Sequence, residues 1–294
     1  MKIVNFGSLN IDYTFQVHEI ARPGQTIGAK SVSRFPGGKG MNQSLALARA
    51  GVPVYHAGSI GTDGLFLKEL LEKDGVNCCY LQVREDVGTG SAFIQVDHNG
   101  QNCIVLNGGA NQANTEADVR RVLDQFSAGD WILLQNEISC VNSIIHLAWE
   151  KGMRVIFNPS PMTSAVLDYD LQKVSLFLVN EDEGARLSGQ QEPKEILRVM
   201  TKNYANAEVI LTLGVQGAVW SNGEREIRQP ACRVQAVDTT GAGDTFTGYV
   251  LAGLARGQSM EESLATAVKA SAIMVTRCGA ASAIPCRAEV DAYE

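Results

Sequence analysis

Short apolar runs alternate along most of the chain with segments in which apolar residues recur every three or four positions. The runs predict buried β-strands, and the periodic segments predict amphipathic helices. After residue 115 the alternation is regular: helices are expected near 115–126, 141–151 and 193–204, and strands at 131–135, 153–157, 174–179 and 208–213. This order predicts an α/β fold with a mostly parallel sheet and helices on both faces.

Two segments of the first half depart from that alternation. Residues 13–36 break into short β-like pieces around a Pro23-Gly24 turn, and residues 88–107 alternate strictly, with a strong hairpin signal at Asn99-Gly100. We therefore expect a small β-sheet outside the α/β repeat. The sequence contains no internal repeat, low-complexity run or linker. Residues 1–294 are expected to form one domain with this sheet inserted in it.

Polar or glycine-rich clusters follow four of the predicted strands. They are Glu137 and the stretches 158–161, 180–183 and 212–217. Ligands of parallel α/β sheets bind at the carboxyl ends of the strands, so these clusters predict a binding site.

Asn10 and Asp12 follow a first predicted strand at residues 2–8. On an extended chain residues two apart point to the same side, where an amide and a carboxylate could grip vicinal hydroxyls. The alternative is that the pair only forms a turn.

A tight turn, Gly241-Ala242-Gly243, runs directly into Asp244 and an amphipathic helix. Backbone N–H groups at such a helix start bind anions, and glycine lets the anion come close. The sequence contains no Gly-x4-Gly-Lys-Ser/Thr motif, and Phe246 stands where a dinucleotide-binding fingerprint needs its third glycine. A carboxylate beside bound phosphate would repel it unless the carboxylate accepts a proton from an incoming hydroxyl. The alternative is that Asp244 only caps the helix.

A second glycine-rich stretch, Gly-Gly-Lys-Gly at residues 37–40, precedes a helix on which Met41, Leu45 and Ala48 share a face until Gly51 ends it. Glycines at this position indicate close approach of the backbone to a ligand. The alternative is a loop with a solvated lysine.

These motifs resemble those of the ribokinase family of carbohydrate kinases. Asp-Thr-Thr-Gly-Ala-Gly-Asp-Thr-Phe at residues 238–246 and Gly-Gly-Lys-Gly-Met-Asn-Gln at residues 37–43 match its two signatures in order and spacing. The resemblance runs over essentially the whole chain. It implies a three-layer α/β/α fold with a mostly parallel central sheet, and a small β-sheet lid formed by segments near 13–36 and 88–107.

The implied activity is ATP-dependent phosphorylation of a sugar hydroxyl, with D-ribose expected to give D-ribose 5-phosphate. A kinase of the same fold that acts on a nucleoside, deoxyribose or another sugar is the first alternative. A non-catalytic sugar sensor is the second. The intact Gly241-Ala242-Gly243 turn and Asp244 argue against the sensor, because a binder needs neither.

The resemblance also implies a role for each matching residue. Asp244 is expected to be the catalytic base, and Gly241, Ala242 and Gly243 the anion hole. The expected sugar-binding residues are Asn10, Asp12, Gly38, Lys39, Gly40, Asn42, Glu137 and Asp244. The expected nucleotide-binding residues are Asn180, Thr212, Gly214, Gln216, Gly217 and Gly243.

Two metal ions are implied as well. Asn180 and Glu183 are expected to order Mg²⁺ through water, although the same pair could form a helix capping box. K⁺ is expected at Asp238, Thr240, Met274, Arg277, Gly279 and Ala283, mostly through backbone carbonyls. The serine of the family's Pro-Ser pair is here Ala283, which weakens the K⁺ site only if that ligand is a side-chain oxygen.

Composition excludes several classes of partner. The net charge of −7 disfavours nucleic acid and anionic membranes. No secretory signal and no apolar stretch of about 18 residues is present, which predicts a cytoplasmic protein.

The seven cysteines form no Cys-x-x-Cys pair and are expected to be small core residues, and no zinc site is expected from the four histidines. The partners are then sugar, ATP and, by the resemblance, a second copy joined through the lid as a homodimer.

Overall fold

The computed structural model describes residues 1–293, whose strands form two sheets. The strands are β1 (Ile3–Phe6), β2 (Asn10–Gln16), β3 (Ser31–Gly37), β4 (Tyr55–Gly61), β5 (Asn77–Arg84), β6 (Gly90–Val96), β7 (Asn102–Asn107), β8 (Trp131–Gln135), β9 (Arg154–Asn158), β10 (Leu176–Asn180), β11 (Glu208–Thr212), β12 (Ala218–Ser221) and β13 (Glu226–Gln229). The helices are α1 (Lys39–Arg49), α2 (Leu65–Lys73), α3 (Glu116–Leu123), α4 (Val141–Glu150), α5 (Glu181–Ser188), α6 (Pro193–Asn203), α7 (Ala242–Ala255), α8 (Met260–Val275) and α9 (Arg287–Asp291).

The large sheet has the order β13-β12-β11-β10-β9-β8-β1-β4-β5. Strands from β11 to β5 run parallel, whereas β12 and β13 pair antiparallel at one edge. One apolar core joins a face of this sheet to α1, α2, α7 and α8, and a second core joins the other face to α3, α4 and α6. The predicted three-layer α/β/α fold with a mostly parallel sheet is confirmed.

Helices α1 and α7 start with the two glycine signatures and cross each other closely. Gly248 makes this crossing possible, because a Cβ atom built on it would lie only 2.4 Å from the Cβ of Ala46. Any larger residue at position 248 would push the helices apart. The close crossing brings the first turn of α1 next to the first turn of α7.

The small sheet has the order β3-β2-β6-β7 and lies outside the α/β repeat, as the alternating pattern predicts. Its strands pair so that Asp12 stands beside Phe35 on β3 and Ala92 on β6, and Ala92 stands beside Leu106 on β7. Directly paired residues point to the same side of a sheet. Asp12, Phe35 and Leu106 therefore share one face.

Several expectations from sequence differ from the structure. Strands β5, β12 and β13 are not among the predicted elements, since the edge strands β5 and β13 mix apolar and polar residues without a clear run. The expectation that the cysteines are core residues is wrong for most of them: Cys78 is buried, Cys140 and Cys232 are half-buried, and Cys79, Cys103, Cys278 and Cys286 are exposed. Between residues 1 and 293, none of the helices has the length and apolarity to cross a membrane.

Candidate active site

A cleft of about 240 Å³ opens where β9, β10 and β11 end and α7 begins. It lies at the carboxyl edge of the parallel strands, where the strand-end clusters predict a site. The lining residues are Lys39, Asn158, Ser160, Leu178, Val179, Asn180, Glu183, Thr212, Thr239, Gly241, Gly243, Asp244 and Thr247. The structure thus brings together residues from both glycine signatures and from three strand ends.

Asp244 lies in the first turn of α7 and is only 6% exposed. Its Oδ2 accepts a hydrogen bond from Asn42 Nδ2 at 3.0 Å, and its Oδ1 accepts one from Gln43 Nε2 at 2.8 Å. Burial raises the pKa of the carboxyl group, while the Lys39 charge and the two amides act in the opposite direction. A buried carboxylate with a raised pKa is a better proton acceptor than an exposed one.

The glycine turn before Asp244 presents backbone N–H groups to the cleft. Gly241 caps α7 with φ of 84°, a left-handed conformation that favours glycine. Within residues 1–293 the N–H groups of Gly241 and Gly243 have no backbone acceptor. The Ala242 N–H donates to the Thr239 carbonyl at 3.2 Å and the residue does not line the cleft, so its place in the anion hole remains a prediction. The N–H groups of Gly241 and Gly243 are thus available to donate to an anion in the cleft.

Lys39 brings a positive charge into an acidic cleft. Burial lowers the pKa of its ammonium, but the nearby carboxylates of Asp244, Glu137 and Glu183 outweigh that effect and raise the pKa. Sequence reasoning placed Lys39 among the sugar-binding residues. In the structure it also lines the cleft with Asn180 and Gly243, where a cation could neutralise phosphate oxygens.

Asp12 and Glu137 form the acidic end of the site. Burial, followed by the charge of Glu137, raises the pKa of Asp12 to about 6. Glu137 accepts hydrogen bonds from the Ser8 hydroxyl and from the Lys39 backbone N–H, the latter at 3.0 Å. Burial also raises the pKa of Glu137. Two carboxylates that carry an unfavourable burial cost in the free protein gain from hydroxyl donors of a ligand.

Asn10 is held by a second asparagine. Asn111 Nδ2 donates to Asn10 Oδ1 at 2.8 Å and to the Leu9 carbonyl at 3.1 Å. The side-chain oxygen of Asn10 thus already accepts a hydrogen bond, and the side-chain nitrogen Nδ2 can donate to a ligand oxygen.

The glycines of the first signature have structural contacts. Gly38 caps α1. The Gly40 N–H donates to Ser8 Oγ at 3.2 Å, and the Gly40 carbonyl accepts from Asn5 Nδ2 at 2.7 Å. Gly40 therefore anchors α1 to the end of β1. That both glycines also contact sugar remains a prediction.

Asn180 and Glu183 form the capping box that sequence reasoning left open as the alternative. Asn180 Oδ1 accepts from the Glu183 N–H at 2.9 Å, and Glu183 Oε2 accepts from the Asn180 N–H at 3.0 Å. Both side chains nevertheless line the cleft. The cap fixes the two side chains there and leaves them free lone pairs for water.

The predicted nucleotide loop is divided in the structure. Thr212 lines the cleft and donates its hydroxyl to the Val179 carbonyl at 3.3 Å. Gly214 to Gln216 form a short 3₁₀ turn that leads through Gly217 into β12. The predicted nucleotide-binding residues Gly214, Gln216 and Gly217 do not line the cleft.

Four of the residues predicted to bind a monovalent cation, Asp238, Thr240, Met274 and Gly279, contact one another or the glycine turn, whereas the Arg277 side chain pairs with Glu289. Asp238 Oδ1 accepts from the Thr240 N–H at 2.9 Å, and its Oδ2 accepts from the Gly279 N–H at 3.0 Å. Burial acts to raise the pKa of Asp238, but these hydrogen bonds outweigh it and lower the pKa. Met274 contacts the same turn, since its Cε lies 3.2 Å from the point where a Gly241 Cβ would stand. Ala283 is buried and offers only its backbone.

Direct metal chelation by acidic, histidine or cysteine side chains has no basis among residues 1–293, where no three of them cluster closely enough. The carboxylate of Asp238 could attract a cation, and backbone carbonyls of the neighbouring loops would have to supply the other ligands. Asn180 and Glu183 fit an ion that keeps most of its waters.

Some site residues were missed by sequence reasoning. Asn158 and Ser160 were noted only as a strand-end cluster, and their position after β9 is the signal that could have assigned them. Thr239 and Thr247 flank the glycine turn and carry no separate signal. Gln43 is quoted in the first signature, but its contact with Asp244 joins residues 201 positions apart and is invisible in the sequence.

The fold and the site define a carbohydrate kinase. Residues 1–287 match the pfkB family of carbohydrate kinases, and the chain belongs to that family. The predicted resemblance to the ribokinase family is confirmed.

Named relatives cover nearly the whole chain. A ribokinase of Schizosaccharomyces pombe is 37% identical over 312 residues, which cover 99% of this chain and 97% of the relative. The structure of the Arabidopsis thaliana ribokinase complexed with ribose and ATP has a TM-score of 0.87 and 31% identity, covering 98% of this chain and 97% of that one. A deoxyribokinase of Salmonella typhi is 29% identical over 305 residues, with coverage of 100% and 98%.

Proposed function

We propose that this chain is an ATP-dependent kinase that converts D-ribose to D-ribose 5-phosphate. The observation that carries the proposal is that Asp244 lines the same cleft as the free N–H groups of Gly241 and Gly243 and is close enough to Glu137 for the two charges to interact. The similar Arabidopsis protein, complexed with ribose and ATP, supports the choice of both substrates.

In the proposed reaction Asp244 accepts the proton of the sugar hydroxyl as that oxygen attacks the γ-phosphoryl group. The N–H groups of Gly241 and Gly243 and the Lys39 ammonium stabilise the charge on the transferring group. Asn10 and Asp12 bind the hydroxyls of the sugar. Asn42 Oδ1 supports this arrangement, because it is buried and no described residue bonds to it, so that a sugar hydroxyl would satisfy it.

Mg²⁺ bound to the phosphates would supply charge neutralisation during transfer. Asn180 and Glu183 are the residues proposed to hold its waters, and Ser160 lines the cleft with them. Thr212, with Gly214, Gln216 and Gly217 beside it, is proposed to bind the nucleotide.

Deoxyribose is the second candidate, favoured by the similar deoxyribokinase. The two candidates differ at a single hydroxyl, and a site built to bind that hydroxyl discriminates strongly against its absence. A panel of pentoses, hexoses and nucleosides in an ADP-release assay tests the proposal. Ribose should have the highest kcat/KM. A higher value for deoxyribose or a nucleoside would replace the proposed substrate, and ADP release independent of any acceptor would reject the function.

Activation by K⁺ is the expected behaviour of the Asp238 loop. A cation beside Asp238 would fix the turn that carries Gly241 and Gly243, so it would act on the geometry of the anion hole and not on substrate contacts. Titration of K⁺ into an assay free of sodium and potassium should raise kcat several-fold, as a rough expectation for a preorganisation effect. The response should be reduced in Asp238→Ala. A flat response would mean that protein contacts alone hold the loop.

A homodimer through the lid is proposed from the exposed apolar face that carries Asp12. On that face Phe35 is 50% exposed and Leu106 is 61% exposed. An apolar surface above a sugar site is expected to be covered, and a second copy of the same face would cover both at once.

Leu106→Glu is therefore expected to convert the dimer to a monomer in sedimentation velocity. Val105→Glu is the matched control, because Val105 is the adjacent residue on β7, is 60% exposed and points to the opposite face. A wild-type monomer, or equal dissociation by both variants, would contradict the proposed interface.

A further inference from the structure

Behind Asp244 a chain of buried amide side chains crosses the core between α1 and the large sheet. Gln43 on α1, Gln135 at the end of β8 and Asn5 on β1 are all fully buried. Gln135 Nε2 donates to Gln43 Oε1 at 2.6 Å and to Asn5 Oδ1 at 3.0 Å. Gln43 Nε2 in turn donates to Asp244 Oδ1 at 2.8 Å. We call Asn5, Gln135 and Gln43 the amide chain.

The orientation of each amide is dictated by the one before it. Asn5 Nδ2 donates to the backbone carbonyl of Gly40 at 2.7 Å, so Asn5 must turn its oxygen to Gln135. Gln135 must then present Nε2 to that oxygen, and the same nitrogen meets Gln43. Gln43 must present Oε1 to Gln135 and is left with Nε2 facing Asp244. A backbone carbonyl therefore fixes, through three side chains, that a donor and not an acceptor faces the carboxylate.

A second backbone group favours the same orientation from the other end of the network. Asn158 Nδ2 donates to the Leu178 carbonyl at 2.9 Å, which turns Asn158 Oδ1 toward Gln43. Gln43 Nε2 donates to this oxygen at 3.2 Å. A flipped Gln43 would place its oxygen against both Asn158 Oδ1 and Asp244 Oδ1, so both ends of the network exclude the flip.

The chain also contains an unsatisfied atom. Gln135 Oε1 is buried and has no hydrogen-bond partner among the described residues. An unpaired buried acceptor is destabilising, and a stabilising core position would be filled at least as well by an apolar side chain. A glutamine at position 135 is therefore better explained by its hydrogen bond to Gln43, which orients the Gln43 amide, than by a contribution of Gln135 to the stability of the fold.

We propose that the amide chain is a positioning device for the catalytic base: Gln43 holds Oδ1 of Asp244 with a donor whose direction Gln135 and Asn5 enforce. Neither Gln135 nor Asn5 lines the cleft, and both side chains are fully buried. The proposal rests on the role proposed for Asp244 in phosphoryl transfer. It adds three residues that act on that base without touching sugar or nucleotide.

The two amide donors favour the charged form of the base in a site where burial disfavours it. Glu137 and Glu183 face Asp244 and oppose its ionisation, whereas Lys39 favours it. A donor on Oδ1 stabilises the carboxylate form, so its removal should raise the pH at which Asp244 takes up a proton. Since the base works only when unprotonated, the acidic limb of the kcat profile should move to higher pH in the same variants.

The test compares Gln43→Met and Gln135→Met with Leu133→Ala. Leu133 is buried on β8 two residues before Gln135, on the same face, and has no polar link to Asp244. Carboxyl ¹³C NMR of each protein, with the Asp244 signal assigned by its loss in Asp244→Asn, gives the titration midpoint without any substrate. The acidic limb of kcat is measured in parallel.

Gln43→Met should raise the midpoint of Asp244 by roughly one pH unit and lower kcat roughly 10-fold, with both KM values within about twofold. Gln135→Met should move both quantities in the same direction by less. Leu133→Ala should lower the midpoint of thermal unfolding and leave the titration midpoint of Asp244 unchanged. If Gln43→Met does not fold, Gln135→Met carries the test.

Unchanged titration and kcat limb in Gln135→Met, or an equal shift in Leu133→Ala, would overturn the positioning role. Because the NMR titration needs no turnover, a wild-type protein that phosphorylates no acceptor would reject the proposed function and still leave the amide chain measurable.

Discussion

Asp244→Asn is expected to lower kcat by roughly 10²–10⁴-fold, the usual size of general-base assistance. The substitution keeps the size of the side chain but removes its ability to take the hydroxyl proton. Asn42 and Gln43 both donate to Asp244, so an asparagine can accept from only one of them at a time. A small loss of stability is therefore expected beside the large loss of turnover.

Sugar affinity and the thermal midpoint are the controls for this variant. The dissociation constant for ribose, measured by calorimetry, should change far less than kcat. Wild-type turnover in Asp244→Asn would mean that the carboxylate only accepts hydrogen bonds from Asn42 and Gln43 and that the reaction uses another base.

Asp12→Ala is expected to raise the sugar KM. The loss of binding free energy should be on the order of 1–3 kcal/mol, which is the cost of removing one partner from a buried hydrogen bond. The ATP KM should change little, because Asp12 lies on the small sheet and does not line the cleft. Asn180→Ala should give the opposite result, since Asn180 lines the cleft. Equal effects of each variant on both substrates would show that the sugar and nucleotide halves are assigned wrongly.

The pH dependence of sugar binding provides a second readout for the same carboxylate. The pKa of Asp12 is raised to about 6 in the protein without ligand. Above that value the carboxylate accepts hydrogen bonds from sugar hydroxyls, and below it the protonated group loses that capacity. The wild-type sugar KM should therefore rise as pH falls through about 6, and this rise should be absent in Asp12→Ala.

Much of the fold and of the cleft could be predicted because the relevant signals are local. The glycine turn at residues 241–243 and the Asn180-to-Glu183 spacing each lie within one turn of a helix start, and a local sequence pattern encodes such starts well. The parallel sheet follows from regular alternation of strands and helices. Strand-end clusters then predict the correct edge of that sheet.

The remainder depends on contacts between distant parts of the chain. Ala242 sits in the predicted anion hole, yet whether its N–H is free depends on the turn geometry that directs it to Thr239. Gln135 looks like an ordinary polar residue at the end of a buried strand, and its link to Asp244 through Gln43 requires α1 to pack against β8. The edge strands β5 and β13 are extended because they pair with β4 and β12, and their own sequences show no clear hydrophobic pattern.

The most direct measurement of the central claim is ³¹P NMR of a reaction that contains the protein, D-ribose, ATP and Mg²⁺. If Asp244 and the glycine turn transfer the γ-phosphoryl group to ribose, one phosphomonoester signal that matches D-ribose 5-phosphate should grow together with ADP, and it should be nearly absent with Asp244→Asn. Free phosphate without a sugar phosphate, or a phosphate on another ribose hydroxyl, would contradict the account.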